Sequence, residues 1–94
     1  MSAGYEVRFR PAAVRDFDGL PPAVQRRVGQ ELDRLADDPF HAGTTALEGG
    51  LRPYRRARVG DCRVVYTVEA EEHVVRVAVI APRKDVYKHL SRTT

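Results

Sequence analysis

Residues 54–63 read YRRARVGDCR, and VVYTV follows at 64–68. Gly60-Asp61 is typical of the two-residue turn of a β-hairpin, and β-branched and aromatic residues come directly after it. This segment therefore predicts two antiparallel strands in a fixed register. The pairs expected to lie opposite each other are Val59/Cys62, Arg58/Arg63, Ala57/Val64, Arg56/Val65 and Arg55/Tyr66.

The two faces of this hairpin differ in chemistry, because side chains alternate between the faces of a strand. One face suits a core, and it collects Ala57, Val59, Cys62, Val64, Tyr66 and Val68. The other collects Arg56, Arg58 and Arg63. Like charges opposite each other destabilise a sheet by about 0.2–1 kcal/mol per pair, so this convergence indicates a site that binds an anion. The alternative is a solvated basic strand that protects the sheet, in a chain with fourteen arginines and two lysines.

Length and composition limit the possibilities. A chain of 94 residues, 43% hydrophobic and 31% charged, predicts one globular domain over residues 1–94. No segment has the roughly 20 apolar residues of a membrane span, and the first residues lack the apolar core of a signal peptide. Cys62 is the single cysteine, and no Cys/His pairs have the spacing of metal ligands. We therefore expect a cytoplasmic protein without a metal or other cofactor and without membrane contact.

Charge is distributed unevenly along the chain. Residues 1–50 carry six basic and eight acidic side chains, a net charge of −2, whereas residues 51–94 carry ten basic and five acidic ones, a net charge of +5. A basic half of this kind is suited to a polyanion such as nucleic acid, because neutralising phosphates releases counterions.

Hydrophobic periodicity predicts an α+β fold. The alternation at residues 5–10 predicts a strand, the spacing of apolar residues after Pro11 and from Pro22 to Asp37 predicts two helices, and residues 40–51 are predicted to form a loop. Further strands are expected at 53–59, 62–69 and 73–81, with a short helix at 83–90. The expected architecture is β-α-α-β-β-β-α, a small curved, mostly antiparallel four-stranded sheet with two N-terminal helices on one face and a short C-terminal helix. The arginine face is then the one opposite the two helices, and the strand at 73–81 should be central because its valines suggest burial on both faces.

Four segments together resemble the RelE/ParE superfamily of bacterial toxins of type II toxin–antitoxin systems. They are LADDP at 35–39, LEGGL at 47–51, the hairpin RARVGDCRVVY at 56–66 and the ending RKDVY at 83–87. The resemblance covers nearly the whole chain.

Members of the superfamily that resemble RelE are mRNA interferases, which enter the ribosomal A site and cut the messenger with its own 2′-hydroxyl as nucleophile and without a metal. The resemblance implies a ribosome-dependent endoribonuclease whose substrate is mRNA on the ribosome. It also implies a cognate RelB-like antitoxin that holds the toxin inactive in a heteromeric complex.

The resemblance also implies roles for individual residues. Arg56, Arg58 and Arg63, which strand alternation identified independently, would hold and neutralise the scissile phosphate. Arg83 would contribute from the neighbouring strand end, and Tyr87 would lie close to the reacting hydroxyl. The residues expected to contact RNA around this catalytic set are Tyr54, Arg55, Lys84 and Lys88.

The chemistry expected of this set is electrostatic. Guanidinium groups aimed at the charge that develops on the phosphate oxygens stabilise the transition state. Nearby positive charge favours a phenolate, which makes Tyr87 the best available general base, since an arginine cannot deprotonate. If Tyr87 does not ionise, it could instead stack on a base.

Two alternatives remain from sequence. ParE-like members share the fold but inhibit DNA gyrase through protein contacts, and they lack the set of nuclease residues. The second alternative is a catalytically degenerate relative that survives as a partner or repressor component.

Overall fold

The structure is a computed structural model that describes residues 4–83 and 85–93. Its strands and helices, in chain order, are β1 (Glu6–Phe9), α1 (Pro11–Asp18), α2 (Pro22–Asp37), β2 (Thr44–Ala46), a single 3₁₀ turn (Gly49–Leu51), β3 (Arg55–Val59), β4 (Cys62–Glu69), β5 (Val74–Pro82) and α3 (Val86–Thr93). Both N-terminal helices begin at a proline, whose fixed φ suits a first helical position where no N–H partner is needed. None of the described helices has the length and apolarity to cross a membrane.

The strands form one five-stranded mixed sheet in the order β1-β5-β4-β3-β2. β1 runs parallel to β5, and the other pairs are antiparallel. The α+β class is confirmed, but the expectation of four strands is wrong, because Thr44–Ala46 pairs with β3 inside the segment predicted to be a loop. Helix α3 also begins at Val86 rather than at residue 83.

The hairpin of β3 and β4 has the register predicted from its turn. Arg58 is the Cα partner of Arg63, Val59 of Cys62, and the remaining three pairs agree as well. Gly60 has a φ of 58°, a conformation that glycine adopts without strain. The alternation of side chains deduced from sequence is therefore a property of the folded hairpin.

Each face of the sheet carries a core. Ala57, Val64 and Tyr66 pack with the buried sides of α1 and α2 in the first core, which lies on one face. Val65 packs with Val86 and Leu90 of α3 in a second core on the opposite face. Since Arg56 is the Cα partner of Val65, the arginines share the second face with α3.

Strand β5 is an inner strand between β1 and β4 and is almost entirely buried, but the expectation that it is central is wrong, because β2 adds a fifth strand and makes β4 the middle one. Strand β5 also contains one extra residue. Val65 pairs with Val79 and Tyr66 with Val77, so Ala78 has no partner on β4. This bulge changes the alternation: Val77 lies in the first core, and Ala78 and Val79 both lie in the second.

Beyond Val77, β5 no longer pairs with β1, because the last pair of the two strands is Phe9 with Val77. The free backbone N–H of Ile80 is bound by Asp16 of α1, whose Oδ2 lies 3.0 Å from the nitrogen. A helix side chain thus replaces the missing strand at this point.

Candidate nucleic-acid interface

Three arginines project from the hairpin toward the side of the sheet that carries α3. Arg56 and Arg58 come from β3 and Arg63 from β4, with Arg58 and Arg63 directly opposite each other. Arg58 is exposed, whereas Arg63 is only 6% exposed. The hairpin thus presents one exposed and one buried guanidinium side by side.

Arg63 is held by its own turn. Its Nη1 donates hydrogen bonds to the carbonyl oxygens of Gly60, at 3.0 Å, and Cys62, at 2.9 Å. Burial lowers the pKa of Arg63, and the nearby charges of Arg58, Arg83 and Arg56 lower this pKa further, while Tyr87 raises it. The guanidinium nevertheless remains charged at physiological pH.

This electrostatic environment brings together all five residues predicted to be catalytic. The pKa of Arg63 is affected by the charges of the other four, which are Arg58, Arg83, Arg56 and Tyr87. Strands β3 and β4, the residue that follows β5 and helix α3 therefore contribute to one patch. We call it the arginine patch, and it consists of Arg56, Arg58, Arg63, Arg83 and Tyr87.

Arg83 reaches the patch because the end of β5 is tied to the hairpin turn. The backbone N–H of Arg83 donates to the carbonyl oxygen of Asp61 at 2.9 Å. Its side chain is exposed. Tyr87 enters from the first turn of α3, where Arg56 Nη1 donates to its phenolic oxygen at 2.6 Å.

The arginines of the patch differ from the paired arginines elsewhere in the protein. Within the part of the chain that the structure describes, none of its four arginines forms an ion pair with a carboxylate. The like charges of Arg58 and Arg63 are therefore brought together without local compensation, which is the arrangement that an anionic ligand would stabilise.

A groove of about 420 Å³ adjoins the patch, between β3 and the segment that leads into β2. It is lined by Ala42, Gly43, Thr45, Arg56 and Arg58. Small and polar side chains opposite two arginines leave room for a ribose-phosphate backbone. Sequence reasoning placed residues 42–45 in a loop and gave no signal that they would face the arginines.

The wall of this groove is fixed from α2. Buried Glu31 lies 2.6 Å from His41, between Oε2 and Nε2, and His41 Nδ1 accepts the backbone N–H of Gly43 at 3.0 Å. Because Nδ1 accepts a hydrogen bond, Nε2 is the protonated ring nitrogen, and its N–H donates a hydrogen bond to Glu31. A side chain at Gly43 would meet the His41 ring, since its Cβ would lie 2.8 Å from Cε1.

Of the four residues predicted to bind RNA around the patch, two have side chains engaged in other contacts: Tyr54 and Arg55. Tyr54 is 8% exposed and packs in the second core, so its ring offers no face for a base to stack on. Arg55 lies on the first face, opposite Tyr66, where its Nη2 donates to Thr44 Oγ1 at 2.7 Å and its guanidinium stacks 5.0 Å from the centre of the Phe40 ring. Lys88 is exposed on α3, and Lys84 lies outside the described residues.

No group of three or more potential metal ligands is found among the described residues.

Comparison with known proteins identifies the class. Residues 7–87 match the sequence model of a family described as the ParE toxin of the type II toxin–antitoxin system parDE. A putative RelE-like toxin protein of Escherichia coli is 30% identical over 86 residues, which cover 88% of this chain and 90% of that protein. The toxin RelG of Mycobacterium tuberculosis is 31% identical over 85 residues, covering 89% of this chain and 97% of RelG.

A solved structure agrees with these relatives. The toxin–antitoxin complex RelBE2 from Mycobacterium tuberculosis contains a chain with a TM-score of 0.78 and 28% identity, and the match covers 86% of this chain and 100% of that one. The protein is thus a small toxin of the α+β type found in toxin–antitoxin pairs. It belongs to the RelE/ParE superfamily of type II toxin–antitoxin systems and is a RelE-like toxin.

Proposed function

We propose that this toxin is a ribosome-dependent endoribonuclease that cuts mRNA in the A site by attack of a 2′-hydroxyl on the adjacent phosphate. The observation that carries the proposal is the electrostatic proximity of Arg58, Arg83, Arg56 and Tyr87 to buried Arg63. Arginines without acidic partners, placed beside a tyrosine, favour a phosphodiester over a neutral ligand, because guanidinium groups match the charge and geometry of a phosphate.

In the proposed reaction the 2′-oxygen forms a bond to phosphorus, the bond from phosphorus to the 5′-oxygen breaks, and a 2′,3′-cyclic phosphate remains. Tyr87, acting as the phenolate, takes the proton of the 2′-hydroxyl, and the leaving 5′-oxygen takes a proton from water. The arginines face the phosphate oxygens, on which negative charge grows in the transition state, and fixed donors of this kind give the largest rate effects. The charge of the patch supplies this stabilisation without requiring a metal.

Preorganisation of the patch supports this role. Arg63 is oriented by two carbonyl oxygens and Tyr87 by Arg56, so neither has to be repositioned when RNA arrives. Arg58 and Arg83 are exposed and can close on the phosphate from outside. The toxin would be held inactive by a RelB-like antitoxin, since the structural relative RelBE2 was solved as a toxin–antitoxin complex.

The test uses purified toxin, ribosomes programmed with a defined messenger, and mapping of cut sites by primer extension. We expect cuts within the codon in the A site, and we expect Arg58→Ala to reduce the cleavage rate about 10²- to 10³-fold, the typical effect of removing one donor to a developing oxyanion. Arg26→Ala removes the same charge from an exposed position on α2 and should cleave normally. Intact messenger on ribosomes with the wild-type toxin would refute the proposal.

The second candidate function is inhibition of DNA gyrase, because the matching family is described as a ParE toxin. A supercoiling assay with gyrase distinguishes it. Inhibition of supercoiling at toxin concentrations that leave translating messenger whole would favour the ParE-like function, and an inert protein in both assays would favour a degenerate relative.

A further inference from the structure

The outer edge of β3 is open near the hairpin turn. β2 pairs with β3 only as far as Ala57, so Arg58 and Val59 extend beyond it. Helix α2 lies across this open edge, and a pocket of about 200 Å³ lies between them. We call it the α2 pocket, and its lining residues are Arg27, Gln30, Glu31, Arg34, Arg58, Val59 and Gly60.

The α2 pocket carries a positive charge at its rim. The guanidinium of Arg27 lies against the hairpin turn, close enough that a Cβ at Gly60 would be 3.1 Å from its Nη1. The acidic lining residue, Glu31, is buried and already bound to His41 at 2.6 Å, with Arg34 at 3.5 Å. Considering residues 4–83 and 85–93, Arg27 forms no ion pair. Arg27 and Arg58 therefore face the pocket with their charges uncompensated.

Arg58 connects the α2 pocket to the groove beside the arginine patch, because it lines both. An RNA strand bound over Arg58 in the groove can continue over the open edge of β3, since the pairing with β2 ends at Ala57. Proteins that bind single-stranded nucleic acid commonly follow the backbone with such a positively charged track, and the fork of an arginine matches the oxygens of a phosphate.

We propose that the α2 pocket binds a phosphate of single-stranded RNA next to the scissile one, with Arg27 and Arg34 as its ligands and Arg58 shared between the two phosphates. The inference rests on the proposed function and adds a subsite to it. Arg27 and Arg34 would position the strand and would not touch the reacting atoms.

The experiment measures binding of a fluorescently labelled, fully 2′-O-methylated octanucleotide, which cannot be cut, over a series of salt concentrations. Each phosphate contact on a single strand adds about 0.7 to the steepness with which the logarithm of the binding constant falls against the logarithm of the salt concentration. One contact therefore accounts for about a fivefold loss of affinity for each tenfold rise in salt. We expect Arg27→Ala to reduce this slope by about 0.7, and Arg27→Lys to restore it. A 2′-O-methylated dinucleotide, which carries a single phosphate, should compete equally well for the wild type and for Arg27→Ala, but less well for Arg58→Ala.

Arg26→Ala is the matched control, since Arg26 is the exposed neighbour of Arg27 on α2 and does not line the pocket. Equal slopes for Arg27→Ala and Arg26→Ala, with binding still sensitive to Arg58→Ala, would overturn the subsite and leave the proposed function standing. Binding that is insensitive to Arg58→Ala would overturn both. Each variant is checked by thermal unfolding, and Arg27→Gln, which removes the charge but keeps a long side chain, carries the same test if Arg27→Ala does not fold.

Discussion

Arg56 donates a hydrogen bond of 2.6 Å from Nη1 to the phenolic oxygen of Tyr87 and so joins β3 to α3. Because the guanidinium can only donate, the phenolic hydrogen must point away from Arg56. The contact therefore fixes the orientation of Tyr87 relative to β3.

The first prediction concerns this oxygen. Tyr87→Phe should lower the rate of messenger cleavage on ribosomes by about 10²- to 10⁴-fold, the range expected when a general base is lost, because phenylalanine keeps the ring but cannot take a proton. Binding of the uncleavable octanucleotide should change little. Tyr5→Phe is the control, since Tyr5 stacks on His73 at 4.8 Å, outside the arginine patch. A Tyr87→Phe toxin that cleaves within a few-fold of wild type would show that another group takes the proton.

Arg58→Ala should separate stability from activity. Arg58 is exposed and is the Cα partner of Arg63, so its removal relieves a repulsion of about 0.2–1 kcal/mol. We expect the free energy of unfolding in urea to stay equal or rise by that amount while cleavage falls. A clear loss of stability would mean that the opposed arginines do not strain the hairpin.

Asp16 should contribute to stability from outside the arginine patch. Its carboxylate accepts the N–H of buried Ile80, so Asp16→Ala leaves this N–H without its partner and should cost about 1–3 kcal/mol of the free energy of unfolding. Asp18→Ala changes an exposed residue of the same helix and should stay within about 0.5 kcal/mol of wild type. Equal stability of the two variants in urea would contradict the structural role of the Asp16 contact.

Tyr66 should make stability fall at alkaline pH. Burial raises the pKa of Tyr66, and its hydroxyl donates to the carbonyl oxygen of Pro39 at 2.6 Å. An unfolded tyrosine ionises near pH 10, so between that value and the raised folded pKa the folded chain retains a proton that the unfolded chain has lost. This contribution to stability is fully present below about pH 10 and is lost as pH rises through the folded pKa.

Tyr66→Phe tests this linkage. The variant should be about 1 kcal/mol less stable at neutral pH, because the hydrogen bond is lost. Its stability should fall less steeply than that of the wild type above about pH 10. Parallel curves of unfolding free energy against pH would show that Tyr66 is not the group responsible.

The hairpin could be predicted from sequence because its information is local. Gly60-Asp61 fixes the turn, and a turn with no further irregularity fixes every opposite pair up to Arg55 and Tyr66. Side-chain alternation then brings three arginines together without any knowledge of the rest of the chain.

The missed features depend on distant contacts. β2 has three residues, partly or fully exposed, and carries no alternating pattern, so only its pairing with β3 reveals it. Tyr54 precedes β3 and is buried in the second core together with residues of α3. The sequence of the hairpin alone does not predict this burial. The pairing of Glu31 with His41 joins a helix to a loop ten residues away, and neither residue type at that spacing is a specific signal.

The carbonyl oxygens that hold Arg63 belong to Gly60 and Cys62, both within three residues of it in the chain. The contacts that orient this cation are thus encoded by a short stretch of the chain, residues 60–63. Such a stretch is portable: transplanted onto another antiparallel pair with the same turn, it should carry the oriented guanidinium with it.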